Sequence, residues 1–221
     1  MVRKTKEEAD LTRRQIIDAA RRVFLECGVS HTTLEKIAAT AGVTRGAVYW
    51  HFRNKTELFF AMREQAILPF VDRVVFKEDD SDPLYGIETA LREIFHILGD
   101  QPEVRETFEI ISFKCEYVNE LGDMMQCTGG QLDFLGKLTE AYRRAEARGV
   151  LRPGIAPDDL AHDTFLFVGG LIKHWLAGRP DERFRADAAA LIRTHVALRR
   201  AGVDQAGPVS PARSSHLSKA A

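Results

Sequence analysis

Apolar residues recur every three or four positions along nearly all of this chain, and no stretch sustains the apolar–polar alternation of a half-buried strand. That pattern dictates an all-α fold. The first apolar stripe is Ile16, Ile17, Ala20, Val23 and Phe24, with Thr12 placed to cap its start and Cys27-Gly28 supplying a glycine stop. Thr32-Thr33-Leu34-Glu35 reads as a capping box, in which the Thr32 hydroxyl accepts from the amide three residues on and Glu35 reaches back. The helix it opens has room to run only to about Ala41. Gly42 permits a left-handed turn, Val43 plugs the angle between helices, and Thr44 caps a third short helix through about Phe52. Asn54-Lys55-Thr56-Glu57 is a further cap with Glu at the third position, and it opens a longer helix to about Phe76.

Two short helices joined by a glycine-containing turn make a helix-turn-helix, whose second helix enters the major groove of DNA. On that helix Val48 and Phe52 lie one turn apart and face inward with Ile37 and Ala38, leaving Arg45, Tyr49 and His51 outward. Tyr49, Trp50, His51 and Phe52 are consecutive and circle a helix too short to bury every side, so Trp50 joins the outward set. Gly46 leaves room for the close approach of a base or sugar. A formal net charge of −1 hides an asymmetry: up to Arg63 there are 12 Lys and Arg against 7 Asp and Glu, whereas residues 64–200 carry 17 against 24. The first quarter can face phosphates, and the remainder is repelled by them.

The run Thr32-Thr33-Leu34-Glu35-Lys36-Ile37-Ala38, followed by Ala41-Gly42-Val43-Thr44-Arg45-Gly46-Ala47-Val48-Tyr49-Trp50-His51-Phe52-Arg53-Asn54-Lys55, closely resembles the signature of the TetR family of transcriptional repressors. Arg3-Lys4-Thr5-Lys6-Glu7-Glu8-Ala9, Glu109-Ile110 and Lys114-Cys115-Glu116 look like its AcrR and TtgR branch, whose members repress operons for multidrug efflux pumps. By that resemblance Tyr49, His51 and Lys55 correspond to positions that hold phosphates. Arg45 with Gly46 corresponds to positions that meet base edges, and Thr33 and Thr44 to positions whose hydroxyls or amides meet the backbone. The chemistry agrees, since Arg offers guanine a bidentate fork and Lys55 sits where a helix N-terminus favours a phosphate.

Beyond Phe76, Lys77-Glu78-Asp79-Asp80-Ser81-Asp82-Pro83 is a polar loop whose proline can begin the next helix, carrying Ile87, Leu91, Ile94 and Phe95. A segment from Pro102 carries Val104, Phe108, Ile111 and Cys115. A long one from about Glu120 to Arg148 carries Leu132, Leu135, Leu138 and Tyr142 and stops at Gly149. Gly129 and Gly130 inside it mark either a kink or a close packing. In the helix after Pro157, Phe165, Leu166, Phe167, Val168, Leu171, Ile172, Trp175 and Leu176 leave almost no polar face, so one side packs on its own domain and the other needs a partner. The last helix aligns Phe184, Ala188, Leu191, Ile192, His195 and Val196, which completes a four-helix bundle across a two-fold axis. Phe167, Leu171, Trp175, Leu191 and His195 are the dimer residues expected. The organisation is then a DNA-binding domain at 1–55, a ligand-binding and dimerisation domain at 56–200, and a Gly-, Pro-, Ser- and Ala-rich disordered tail at 201–221.

The resemblance implies a small-molecule site inside the larger bundle. Inward-facing candidates are Ile67, Phe70, Ile87, Leu91, Ile94, Phe108, Glu109, Ser112, Leu135, Phe165 and Val168, a set suited to an amphipathic or aromatic inducer. Glu109 either balances a cationic drug or is an ordinary carboxylate, paired with Arg105 or solvated. Pro69 removes the hydrogen bond to Gln65 in the helix joining the domains, so a kink is expected there.

Other classes of function have little support. The seven histidines show no ligand spacing, and there is no nucleophile elbow or glycine-rich phosphate loop, so no catalytic site, metal or cofactor is expected. Cys27, Cys115 and Cys127 contain no C-x-x-C pair and read as free thiols. The opening residues lack the apolar core of a signal peptide and no run of about 18 apolar residues exists, so no membrane contact and a cytoplasmic location are expected. The function expected is a homodimeric repressor of a multidrug efflux operon, released from near-palindromic double-stranded operator DNA by a small molecule. A DNA-binding regulator of another pathway, answering to a metabolite or a protein, is the alternative.

Overall fold

The computed structural model describes residues 6–76, 82–115, 134–178 and 182–202, the side chains of 182–186 excepted. They form helices and connecting turns. In chain order the helices are α1 (Lys6–Cys27), α2 (Leu34–Ala41), α3 (Arg45–His51), α4 (Lys55–Arg73), α5 (Pro83–Asp100) and α6 (Pro102–Glu109), which continues as a π-helical turn over Ile110–Lys114. After the second interval come α7 (Phe134–Ala147), α8 (Pro157–Ala177) and α9 (Glu182–Ala197). The fold is all-α, as the apolar period requires. Leu132, Gly129, Gly130, Cys127 and the segment from 203 to 221 lie outside the described residues.

Most helix limits follow from local chemistry. Gly28 ends α1 at φ 78° and Gly42 ends α2 at φ 68°, both in the left-handed region that glycine enters without strain. The Thr44 hydroxyl accepts from the Ala47 amide, and Asn54 caps α4 by accepting from Glu57 while Glu57 accepts from the Arg53 amide. Pro83 opens α5, and the Asp82 carboxylate accepts from the Leu84 and Tyr85 amides.

Two expected caps are corrected. Thr12 does not start α1, which begins at Lys6 with Glu7 and Glu8 in its first turn; the Thr12 hydroxyl donates to the Glu8 carbonyl inside the helix. Thr32 does not cap α2. It is buried and donates to the Gly28 carbonyl at 2.7 Å, closing the loop after α1, so the cap passes to Thr33, which accepts from the Lys36 amide at 3.2 Å. Glu35 is thereby at the second position and does not complete the box.

The helices enclose two apolar cores. One holds Ile16, Phe24, Ile37, Val48, Phe52, Leu58, Phe59 and Met62, together with Ile110 from the π-helical turn. The other holds Ile67, Phe70, Ile87, Leu91, Ile94, Leu138, Tyr142, Val168, Leu171, Trp175 and Ile192. Helix α4 feeds both, turning from one to the other between Met62 and Ile67, and it continues through Pro69.

Helix α8 is not buried all round in this single chain. Leu160, Ala161, Thr164, Val168, Leu171 and Trp175 face the core, whereas Leu166 is 71% and Phe165 45% exposed, with Gly169 and Gly170 exposed beside them. Of the expected dimer residues, Trp175 and Leu171 pack into the core of their own domain, Trp175 at 1% and Leu171 at 9% exposure. Leu191 is 47% exposed. His195 and Phe167 are partly buried and stacked at 3.8 Å; the Phe184 side chain lies outside the described residues.

Candidate DNA-binding surface and ligand cavity

Helix α3 buries Val48 against α1 and α2 and turns the rest of its short cylinder outward. Trp50 is 73% and Tyr49 44% exposed, and Arg45 and Gly46 are exposed, with His51 partly so. A Cβ at Gly46 would meet only the Thr44 hydroxyl, at 3.9 Å, so the surface there is open. Arg45 is not idle. Its guanidinium lies 3.0 Å from Glu35 of α2 and over the Tyr49 ring, 5.2 Å from the centroid. Glu35 is held below the ordinary carboxylate range by a hydrogen bond from its own backbone amide and, further, by Arg45. Thr33 is exposed at the start of α2 with its hydroxyl already accepting from Lys36. Lys55, first residue of α4, donates from Nζ to the Ser30 carbonyl at 3.0 Å, and partial burial holds its pKa below that of a free lysine. All eight expected DNA contacts thus lie on the first-core domain, on the α3 cylinder or at helix N-termini beside it.

The same domain is docked on α6. Arg21 of α1 is buried, bonded to Asp18 and 3.3 Å from Glu106, and the Val29 amide donates to the Lys114 carbonyl at 2.8 Å. A charge and an amide therefore tie α1 to the segment running from α6 into the π-helical turn.

Behind that joint lies a cavity of about 310 Å³. Its wall is made by Arg63, Ile67, Phe70 and Val71 of α4, Ile94 of α5, Phe108 and Ile111 of the α6 segment, Phe134 of α7, and Phe165, Val168, Gly169 and Ile172 of α8. Its rings touch in pairs, Phe70 with Phe108 at 5.2 Å and Phe134 with Phe165 at 6.3 Å.

Known proteins place the chain. A family model described as "Bacterial regulatory proteins, tetR family" matches residues 16–62. The HTH-type transcriptional regulator TtgR of Pseudomonas putida is 40% identical over 179 residues, which are 80% of this chain and 85% of that protein. The chain belongs to the TetR family. Among solved structures, NalD, the secondary repressor of the MexAB-OprM multidrug efflux pump in Pseudomonas aeruginosa, is 34% identical with a TM-score of 0.77, covering 88% of this chain and 98% of that one. A complex of SmeT with triclosan is 31% identical with a TM-score of 0.74, covering 87% of this chain and 93% of that one. The fold of this TetR-family chain is accordingly a helix-turn-helix domain followed by a larger helical domain.

The cavity gathers Ile67, Phe70, Ile94, Phe108, Phe165 and Val168 from the sequence-derived set. Ile87 and Leu91 are fully buried in the larger core and are not among the residues that line the cavity. Leu135 gives way to its neighbour Phe134, with which α7 begins, and Glu109 and Ser112 give way to Phe108 and Ile111. The wall's ionisable residue is Arg63, not Glu109. Sequence reasoning passed over Arg63, Val71, Ile111, Phe134, Gly169 and Ile172. The apolar ones among these sat at helical spacing, but nothing local distinguished cavity wall from solid core, and a charge in an amphipathic helix reads as surface.

Proposed function

We propose that this chain is a ligand-responsive repressor, one of a pair of subunits that hold near-palindromic operator DNA by their α3 helices and let go when an aromatic or amphipathic molecule fills the cavity. By likeness to the efflux-pump repressor NalD, the operon it controls encodes a multidrug efflux pump. One observation carries the reading: the cavity wall and the DNA-binding core share two segments. Helix α4 gives Met62 to that core and Ile67 to the wall, and the α6 segment gives Ile110 to the core and Ile111 to the wall. A molecule that moves the wall moves the platform on which α1 is docked.

The second subunit is supported by the face of α8 that bears Leu166 and by Leu191 on α9, apolar surface that a lone chain leaves in water. Two units related by a two-fold axis meet successive major grooves about 34–36 Å apart, or a multiple of that. Release requires that the ligand prefer the DNA-incompetent arrangement, since equal affinity for both shifts nothing. The test is a pair of calorimetric titrations of a bound compound, with and without the DNA upstream of the chain's own coding sequence. Operator should weaken ligand binding by the same factor, about 5 to 150, by which ligand weakens operator binding. Equal ligand affinity in both titrations would reduce the protein to a DNA-binding dimer with no switch.

A further inference from the structure

Arg45 comes to the outward face of α3 with its side chain already held. Its Nε lies 3.0 Å from a carboxylate oxygen of Glu35, in the first turn of α2. Its guanidinium carbon stands over the Tyr49 ring, 5.2 Å from the centroid, and one terminal nitrogen, Nη2, is 3.5 Å from the Tyr49 hydroxyl. We infer that Glu35 is a positioning residue for base reading: by occupying Nε it turns the two terminal nitrogens of Arg45 outward as a fork, and so sets the choice of guanine through Arg45. The inference rests on the reading of α3 as the recognition helix and of Arg45 as its base-reading residue.

The pair is not what holds the fold. Helices α2 and α3 are fastened by buried Ile37, Ala38 and Val48 and by the Val43 amide, which donates to the Ala38 carbonyl. Arg45 and Glu35 are both exposed, and an ion pair in water adds little to that packing. Nor does the carboxylate serve general attraction to DNA, because an anion beside the groove-facing helix is repelled by every duplex alike. Its effect is on the freedom of Arg45. A loose arginine side chain loses rotamers when a base orders it, whereas one held beforehand has little left to lose. A guanidinium has one N–H on Nε and two on each terminal nitrogen. Guanine presents O6 and N7 as acceptors on its major-groove edge. The guanidinium can meet them side-on, through Nε and one terminal nitrogen, or end-on, through both terminal nitrogens. With Nε given to Glu35, the end-on fork remains, and the Tyr49 ring beneath steadies its plane. As α3 enters the groove and water leaves, the attraction between Glu35 and Arg45 strengthens.

The test uses the full chain, the duplex that it selects from a randomised DNA pool, and a scrambled duplex of the same composition, with fluorescence anisotropy giving the affinity for each. Glu35→Ala should lower the ratio of selected to scrambled affinity at least about fivefold, the low end of what a bidentate base contact discriminates. Glu35→Gln keeps a neutral acceptor for Nε and should fall between. Both variants lose the anion, so both should bind the scrambled duplex more tightly than the wild type does, and most clearly at low salt. In an Arg45→Ala background, Glu35→Ala should change the ratio by less than about twofold, because the side chain it positions is gone. A thermal melt checks that each variant folds, and Glu35→Gln decides if the alanine variant does not. A ratio that Glu35→Ala leaves unchanged or raises, as it would if the carboxylate only shielded Arg45, would overturn the positioning role and leave Arg45 as the reader. So would an equal fall of the ratio in the Arg45→Ala background. A wild-type chain that selects no sequence, or an Arg45→Ala chain that keeps the full preference, would overturn the recognition-helix reading and this inference with it.

Discussion

Replacing Lys55 by methionine isolates the electrostatic part of DNA binding. The substitution keeps the length of an apolar stem, leaves the Asn54 cap in place and removes one cation from the first residue of α4, where the helix N-terminus also attracts a phosphate. In the free protein that cation is held by the Ser30 carbonyl at 3.0 Å, so it is presented from a fixed place rather than from a waving side chain. Removing one phosphate-binding cation should flatten the dependence of log affinity on log salt by about 0.9 for every subunit bound. From 50 to 200 mM salt, a fourfold change, one such cation is worth a factor of about 3.5. The defect of Lys55→Met should therefore be largest at low salt and shrink by about that factor per subunit at 200 mM. Fluorescence anisotropy of labelled operator across a salt series measures the slope, and a scrambled duplex of equal length should lose affinity in the same proportion. An unchanged slope, or a loss confined to the operator, would show that Lys55 does not meet a phosphate.

Arg45→Ala should act in the opposite sense, weakening the preferred operator about 5- to 150-fold with far less effect on random DNA, as competition binding would show. Indifference of both affinities would remove α3 from the role of recognition helix. Leu166→Glu places a charge on the most exposed apolar residue of α8 and should yield monomers in sedimentation velocity at micromolar concentration; a wild-type chain that is itself monomeric would refute the paired assembly. Thr164→Val should cost about 1–3 kcal/mol in chemical denaturation, because the buried Tyr142 hydroxyl at 2.7 Å and the His195 Nε2 at 3.0 Å both lose the Thr164 hydroxyl. His195, depressed to about 4 by burial and then by Arg199, against the opposing pull of Asp163, stays neutral in the folded state while the unfolded chain takes a proton below about 6.5. Stability should fall as pH drops from about 6.5 toward 4, by about 1–2 kcal/mol once partial exposure is allowed for, and His195→Gln should flatten that fall in denaturation curves at pH 7 and 4.5.

What could be read directly from the residues is local. The caps at Thr44 and Asn54, the stops at Gly28, Gly42 and Gly149, and the inward pair Val48 and Phe52 depend on groups within four positions of one another, so spacing alone reports them. The outward face of α3 follows from the same rule, because a seven-residue helix with one buried residue has nowhere else to turn Arg45, Tyr49 and Trp50. Even so, two adjacent threonines could each cap α2. The choice fell to Thr33 because the Thr32 hydroxyl is already given to the Gly28 carbonyl, four positions back, in the loop after α1. Tertiary structure alone decided the cavity and the division of α8. Trp175 and Leu166 are equally apolar in the sequence; one fills the core of its own domain and the other lies in solvent, according to how α8 is rotated against α7 and α6. A cavity is the space that residues from α4, α5, the α6 segment, α7 and α8 together fail to fill, so its shape and the position of Arg63 on its wall depend on how those helices are set against one another. Helix caps and helical period act between neighbours in the chain, whereas empty volume and buried charge are properties of contacts that the chain makes only after it has folded.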